Sequence, residues 1–354
     1  MKLYNCKHCR NALFFENSLC LKCQHNIGFD PIQMTMVTLE TENDVDYTDI
    51  SNDQVVYHYC QNATHGTCNW LVLADQAPFC LACSLNRTIP KLSKKENLEK
   101  WKQIELAKHR LIYSLLRLHV PVIAKLEPDD IAGLTFDFMA NLSRKKRIMT
   151  GHAEGVITLN IEEADEAIRV KHKLDLGEKY RTLLGHLRHE IGHYYWDVLI
   201  KDSKFLDQYR QIFGDERQKY SKALKTYYKY GPAPDWNNSF ISPYATSHAW
   251  EDWAETWAHY LHMMDTLETA HAFGIDIYPQ QAGNSHELKG EIYQDPYAIQ
   301  DFNQIMEMWL PLTFAVNSLN RSMGHEDFYP FVIAPAVIEK LRFIHDVCSE
   351  RRLN

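Results

Sequence analysis

The chain has 354 residues, of which 45% are hydrophobic and 24% charged, and its formal net charge is -8. This composition is typical of a globular protein with enough residues for two domains. The acidic balance gives no electrostatic reason to expect binding to nucleic acid or to an anionic membrane, and no apolar run approaches the roughly 18 residues of a membrane span. The N-terminal segment MKLYNCKHCR lacks the apolar middle of a signal peptide, so the cytoplasm is the expected compartment.

The first predicted element is a cysteine-rich module at the N-terminus. Eight of the nine cysteines lie in the first 83 residues, and in a reducing compartment clustered CxxC pairs indicate metal rather than disulfides. The first four form the pattern CKHC-x10-CLKC, in which two CxxC loops can each present two thiolates to one Zn²⁺. The sequence therefore predicts a closed structural zinc site with the ligands Cys6, Cys9, Cys20 and Cys23.

A second set of cysteines contains one CxxC pair and two cysteines at wider spacing, and it predicts a second structural zinc site: Cys60, Cys68, Cys80 and Cys83. Exchange of ligands between the two sets stays open. Redox-active CxxC pairs are the alternative, but no βαβ pattern of the thioredoxin type surrounds them. The ninth cysteine, Cys348, lies in a helical run and is expected to be an ordinary thiol.

The module itself is expected to be structural or to bind a protein partner. Closed four-cysteine sites usually contribute folding energy to a domain that is too small for a core of its own. Nucleic-acid binding is the alternative for a zinc ribbon, but few basic residues alternate with the aromatic ones here, and no nucleic-acid partner is expected.

The rest of the chain predicts a mixture of helices and a few strands. A linker-like stretch at residues 87–97 precedes a long amphipathic helix at 97–119. Residues 134–139 and 155–161 have the pattern of strands, and the later pattern is mostly helical apart from a loop at 229–244. The predicted fold class is α+β, with a zinc-ribbon domain at 1–95 and a mostly helical domain with a small β-sheet at 96–354.

The strongest catalytic motif lies in the helix-compatible stretch GHLRHEIGHYYWD, residues 185–197. His189 and His193 are four residues apart, so on a helix both imidazoles face the same side and can bind one Zn²⁺. Glu190 can then act as general base on a water bound by that metal. Gly192 weakens a helix by about 1 kcal/mol, which indicates that another segment packs closely against it. The alternative is a solvated polar helix face rich in histidine.

A catalytic zinc needs a third protein ligand, and the sequence excludes one source of it. The HExxHxxGxxH pattern would require glycine and histidine where this chain has Trp196 and Leu199. Residues 242–262 instead read SPYATSHAWEDWAETWAHYLH, with acids at four-residue spacing and no lysine or arginine. On a second helix Glu251 can reach the metal, and Glu255 can orient a ligating histidine. An ordinary acidic helix face is the alternative.

These motifs resemble the gluzincin arrangement, in which HExxH is followed at a distance by a glutamate on a later ExxxD/E helix. The closer resemblance is to the lethal-factor-like branch, in which a tyrosine seven residues before that glutamate faces the active site. The zinc ligands that this resemblance implies are His189, His193 and Glu251. It further implies that Glu190 is the general base and that Tyr244 stabilises the oxyanion.

Across essentially its whole length the chain also resembles a bacterial family of zinc-binding metallopeptidases with an N-terminal zinc ribbon. The segments that carry this resemblance are FFENSLCLKC, YCQNATHGTCNWL, PFCLACSLNRTIP, GVITLN, YRTLLGHLRHEIGHYYWD and AWEDWAETWAHYLH. It implies a zincin-like peptidase domain after the ribbon. In zincins an edge strand above the cleft pairs with the substrate, and residues 157–161 could form that strand or an interior one.

The predicted function is zinc-dependent hydrolysis of a peptide bond in a peptide or protein substrate. One catalytic and two structural Zn²⁺ ions are expected. The alternative is a catalytically inactive, zinc-binding interaction or scaffold protein. Such a protein would need the metal ligands but not the base, so the presence of Glu190 favours the enzyme.

Overall fold

The computed structural model describes residues 1–127, 130, 132–141, 148–176, 181–280 and 288–353. Its backbone separates into two units. The first contains Met1–Leu116 and Pro121–His172, and the second contains Arg117–Val120 and Lys173–Asn354. Three sheets lie in the first unit, whereas the second is built mainly from helices, so the predicted α+β class is confirmed. Within the described residues, no helix combines the length and the apolar character needed to cross a membrane.

The first unit begins with two antiparallel sheets that carry the cysteine loops. The smaller sheet pairs β1 (Tyr4–Asn5) with β2 (Ala12–Leu13). The larger sheet is antiparallel and keeps the order of the chain, with β3 (Asn26–Asp30), β4 (Thr35–Glu40), β5 (Tyr47–Asp49), β6 (Asn52–Tyr59) and β7 (Leu71–Leu73). One of its faces buries the side chains of Val37, Leu39, Tyr57 and Leu71. Burial of such apolar surface is the main favourable contribution to the stability of this sheet.

A third sheet in this unit contains strands that come before and after a long helix in the sequence. The elements follow one another as α1 (Leu81–Ser84), β8 (Asn86–Thr88), α2 (Lys95–Arg117), β9 (Thr135–Met139), β10 (Gly151–Ala153), β11 (Val156–Asn160) and α3 (Glu166–Leu176). The strand order is β10-β11-β9-β8, and only β10 runs antiparallel to its neighbour. The predicted long helix and both predicted strands are confirmed.

Two sequence predictions are corrected by this sheet. The predicted linker at 87–97 is wrong for its first residues, which belong to β8. This strand pairs with β9, and Arg87 forms an ion pair with Asp137. The strand predicted at 157–161 has a partner on each side, so the interior alternative is confirmed and the edge-strand interpretation is wrong.

The first unit extends beyond residue 95 because α2 packs against the cysteine-containing region. The ring of Tyr113 on α2 lies 5.2 Å from the ring of Phe15 and 6.0 Å from that of Phe29. Phe29 in turn contacts Trp70 with a centroid distance of 4.9 Å, and all four rings are buried. The domain boundary between residues 95 and 96 was predicted from the sequence motifs and takes no account of this packing. It stays a prediction.

Six helices form most of the second unit in the part of the chain that the structure describes. They are α4 (Leu183–Leu199), α5 (Leu206–Phe213), α6 (Tyr220–Tyr230), α7 (Ala249–Phe273), α8 (Phe302–Ser322) and α9 (Pro335–Leu353). Thr182 caps α4 by accepting a hydrogen bond from the Gly185 N–H over 3.0 Å. Gly274, with φ +64°, ends α7 in the left-handed conformation that glycine adopts without strain.

The central contact of the second unit is the packing of α4 against α7. A Cβ atom at Gly192 would lie 3.0 Å from the Cα atom of Ala254, which is closer than ordinary packing allows. The Trp253 indole N–H donates to the Gly192 carbonyl over 2.8 Å. The prediction that another segment packs closely against Gly192 is therefore confirmed. This close approach brings the two predicted halves of the catalytic motif together.

Candidate metal centres

The first four cysteines lie on two loops with the same backbone geometry. In each CxxC loop, the residue after the second cysteine donates its N–H over 2.8 Å to the carbonyl of the first cysteine. These donors, Arg10 and Gln24, both have left-handed backbones with φ 60° and 63°. The closest sulfur pairs are 3.5 and 3.6 Å apart, namely Cys6 with Cys23 and Cys9 with Cys20. All four sulfurs lie within 4.8 Å of one another, which suits tetrahedral coordination of Zn²⁺.

The second set of cysteines forms a similar group in a more buried position. The sulfurs of Cys60, Cys68, Cys80 and Cys83 also lie within 4.8 Å of one another. Backbone N–H groups point at two of them, from Trp70 to Cys68 over 3.3 Å and from Cys80 to Cys60 over 3.4 Å. Such donors stabilise thiolates. The structure thus groups the eight cysteines into the two sets that their spacing predicts, and none of them forms a disulfide.

One residue beside the second set was missed by sequence reasoning. His109 is buried on α2, and its Nε2 atom lies 3.2 Å from Cys68 Sγ and 3.7 Å from Cys83 Sγ. Its Nδ1 atom donates to the carbonyl of Glu105 over 2.6 Å, which fixes the orientation of the ring. His109 lies in the middle of the long helix, far from any CxxC pair in the sequence, so no spacing rule could have identified it.

Two helices bring three predicted metal ligands to one buried point. The Nε2 atoms of His189 and His193 on α4 are 3.2 Å apart, and Glu251 Oε2 on α7 lies 3.0 and 3.4 Å from them. Glu251 is only 1% exposed, and its Oε2 atom accepts no hydrogen bond from the described residues. Two imidazole nitrogens and one carboxylate oxygen are a donor set that fits a zinc ion with one position left for water.

A carboxylate fixes the orientation of one of these histidines. The Nδ1 atom of His189 lies 2.7 Å from Glu255 Oε1, so it carries the proton and leaves Nε2 facing Glu251. The Ser242 hydroxyl donates to Glu255 Oε2 over 2.6 Å. Burial alone would lower the pKa of His189 and raise that of Glu251, but the close approach of the imidazoles and the carboxylates outweighs burial, so the pKa of His189 is raised and that of Glu251 is lowered. The surroundings therefore favour positive charge where the three donors converge.

Comparison with known proteins agrees with this chemistry. The family described as "Putative zinc-binding metallo-peptidase" matches residues 97–347, and a zinc-ribbon domain matches residues 3–94. The chain belongs to this metallo-peptidase family. Both the predicted family and the predicted zinc ribbon are therefore confirmed, and the family description and the cysteine clusters together support zinc binding.

Relatives of this chain are found among mycobacterial proteins. Uncharacterized proteins from one strain of Mycobacterium bovis and two strains of Mycobacterium tuberculosis are 41% identical to it over 352 residues. The matched region covers 99% of this chain and 96% of each relative. No solved structure matches the chain.

The other residues predicted for this site lie close to His189. Glu190 is half-buried beside His189 on α4. Tyr244 lies in a short turn before α7, with its ring centroid 6.0 Å from that of His189. Burial raises the pKa of Tyr244, and the negative charge of Glu251 raises it further, so the phenol stays protonated. His259, on the same stripe of α7, instead hydrogen-bonds the Tyr329 hydroxyl over 2.8 Å.

Two features near the site were not predicted from the sequence. Tyr220, the first residue of α6, has its hydroxyl 2.5 Å from Glu251 Oε1. The second acid of the EDWAE segment, Asp252, is buried and pairs with Lys340 of α9 over 2.7 Å. Burial raises the pKa of Asp252 to about 7 despite the attraction of that lysine. A cation far away in the sequence thus folds back onto an acid that lies outside the stripe of Glu251 and Glu255.

Proposed function

We propose that this metallo-peptidase hydrolyses peptide bonds with zinc held by His189, His193 and Glu251, a gluzincin-type ligand set. The observation that carries the proposal is the convergence of these three donors on one buried point. When bound, zinc supplies Lewis acidity that lowers the pKa of a water and polarises the peptide carbonyl.

The chain's own residues supply the proton transfers and the charge stabilisation. Glu190 takes a proton from the attacking water and returns it to the leaving amine. Tyr244 donates a hydrogen bond to the carbonyl oxygen as negative charge develops there. Glu255 keeps the His189 ring oriented, because a carboxylate that accepts from Nδ1–H leaves only Nε2 as a ligand.

The cysteine sets have a different role in this proposal. Each holds one structural zinc, which gives two structural ions and one catalytic ion per chain. Residues 1–95 then form a zinc-ribbon domain that is available to a protein partner, and residues 96–354 form the peptidase domain. Eight clustered thiols that hold metal require reducing conditions, which supports the cytoplasm as the compartment.

The test is incubation with a diverse peptide library, with cleavages detected by mass spectrometry. The wild type is compared with Glu190→Gln, and Glu339→Gln is the control because Glu339 is exposed on α9. Wild type and control should cleave equally, and Glu190→Gln should be about 10²–10⁴-fold slower with an unchanged zinc content.

Two results would contradict the proposal. Cleavage by Glu190→Gln at the wild-type rate would remove the general-base role. Absence of cleavage by the zinc-loaded wild type would favour the inactive scaffold, which needs the ligands alone.

A further inference from the structure

Tyr220 contacts the metal centre from a helix that buries no side chain, and 38% of Tyr220 itself is exposed. In α6, no residue from Tyr220 to Tyr230 is fully buried. The ring of Tyr220 nevertheless lies 5.3 Å from that of His248 and 5.9 Å from that of Trp250, and its hydroxyl is 2.5 Å from Glu251 Oε1. The first residue of a largely exposed helix is therefore directed into the site.

The direction of this hydrogen bond follows from the chemistry of its partners. An ionised carboxylate can only accept hydrogen bonds, and a phenol is protonated at neutral pH, so Tyr220 donates to Glu251 Oε1. The bond is short, as expected when the acceptor carries a charge. Oε1 is thereby engaged by an O–H group, and it faces the phenol rather than the histidines.

The second oxygen of Glu251 has different surroundings. Oε2 accepts no hydrogen bond from the described residues, and it lies 3.0 Å from His189 Nε2 and 3.4 Å from His193 Nε2. One carboxylate oxygen is thus directed at the phenol and the other at the imidazoles. The two oxygens of Glu251 therefore face different partners.

We infer that Tyr220 is a positioning residue that makes Glu251 a ligand through Oε2 alone. The inference rests on the proposed metal site and adds to it a residue that neither the motif nor the family description assigns. A carboxylate with both oxygens unengaged could turn and bind the metal through both, which would occupy the position needed for water. The hydrogen bond from Tyr220 prevents that rotation.

This assigns different roles to the two tyrosines near Glu251. Tyr244 precedes α7 and is proposed to contact the substrate carbonyl, whereas Tyr220 contacts the protein's own carboxylate. Removal of the Tyr244 hydroxyl should therefore change turnover and leave metal binding intact. Removal of the Tyr220 hydroxyl should change metal binding itself.

The experiment measures Zn²⁺ affinity by chelator competition in Tyr220→Phe, in Tyr228→Phe and in His193→Ala. Phenylalanine keeps the ring contacts of Tyr220 and removes only the donor, and Tyr228 is the control because it is exposed on the same helix. We expect Tyr220→Phe to bind the third zinc about 10–100-fold more weakly, the usual loss for a group that orients a ligand. Tyr228→Phe should match the wild type.

A second measurement reports the coordination directly. With Co²⁺ in place of Zn²⁺, the difference spectrum between each variant and His193→Ala isolates the histidine-glutamate centre. The bands of Tyr220→Phe should shift from those of the wild type, because a second oxygen of Glu251 joins the metal. Those of Tyr228→Phe should not shift.

The outcomes separate this inference from the proposed function. Unchanged affinity and an unchanged cobalt spectrum in Tyr220→Phe would overturn the inference. A weaker affinity that accompanies a lower thermal midpoint, with an unchanged spectrum, would also overturn it, because the hydroxyl would then be merely structural. A normal third zinc in His193→Ala would contradict the metal site, and both proposals would fail. If the Tyr220→Phe effects appear but no peptide is cleaved, the inference stands and the peptidase proposal fails.

Discussion

The cysteine sites and the histidine-glutamate centre are constructed in opposite ways. The first eight proposed ligands lie on loops and short elements next to small sheets, and in each set of four the sulfurs lie within 4.8 Å of one another. The other three lie on helices of 17 and 25 residues that pack closely through Gly192. We therefore expect the metal to order the cysteine loops, whereas helix packing should order the proposed catalytic ligands before any metal binds.

The two kinds of site also differ in their surroundings. Backbone N–H groups point at the cysteine sulfurs, as at Cys60 and Cys68, and each set offers four thiolates, enough for a tetrahedral shell. The histidine-glutamate centre offers three protein donors, of which His189 hydrogen-bonds Glu255 and Glu251 accepts from Tyr220. A closed shell stabilises a fold, and a shell with one position left can bind water and a substrate.

The largest effect should come from exchanging a ligand of each kind for alanine. Cys80→Ala should lower the free energy of unfolding by several kcal/mol, because a structural zinc contributes on the order of 10 kcal/mol to folding in small thiolate domains. His193→Ala should change the thermal midpoint far less and lose one zinc. Calorimetry and elemental analysis measure both quantities. Cys348→Ala is the control, because it removes a buried thiol outside both sets.

The opposite effects on stability would contradict the assignment of the two kinds of site. If His193→Ala unfolded the chain and Cys80→Ala did not, the structural and catalytic assignments would be reversed.

A smaller effect, confined to turnover, is expected at Tyr244. Tyr244→Phe should keep the full zinc content and lower kcat about 10²–10³-fold, the usual cost of removing one donor to a developing oxyanion. Steady-state kinetics on a peptide found in the library screen would measure it. An unchanged kcat would show that Tyr244 does not contact the reacting carbonyl.

The carboxylate behind His189 should affect metal affinity more than stability. Glu255→Gln should weaken binding of the third zinc by about 10–100-fold, because the neutral amide no longer favours a strongly donating imidazole. Ser242→Ala should have a smaller effect in the same direction, since the Ser242 hydroxyl reaches the metal ligands only by its hydrogen bond to Glu255 and otherwise accepts from the Ala245 N–H. Chelator competition measures both. Equal affinity in Glu255→Gln and the wild type would contradict the orienting role.

The smallest effect should be seen at His109. His109→Phe should release zinc from the second cysteine set about tenfold faster, because the Nε2 atom that lies against Cys68 and Cys83 is lost while all four thiolates remain. Release can be followed with a colorimetric chelator. Release at the wild-type rate would show that the ring only fills space there.

Much of the site could be predicted because its residues follow local spacing rules. The His189–His193 pair depends only on helical periodicity, and Gly192 predicted the close packing that Ala254 provides. The CxxC pairs likewise follow from the reach of neighbouring thiolates. The acids at four-residue spacing indicated Glu251, and the resemblance to the gluzincin arrangement implied the same residue as the third ligand.

Other contacts depend on tertiary structure and leave no periodic signal. Tyr220 and His109 each reach a predicted residue from a distant part of the chain, and Lys340 likewise reaches Asp252. Strand β8 was missed for a similar reason, because three residues beside a helix pair only with a strand that comes about fifty residues later. Helix periodicity fixes which residues share a face, but it does not determine which other segment covers that face.

The most direct test of the account is the zinc content of the wild type and of His193→Ala, each purified without chelator. We expect about three equivalents of zinc in the wild type, because each of the two cysteine sets and the histidine-glutamate centre offers a full set of protein ligands for one ion. His193→Ala should contain about two and should remain folded. Two equivalents in both proteins would contradict the central claim, because the convergence of His189, His193 and Glu251 would then hold no metal.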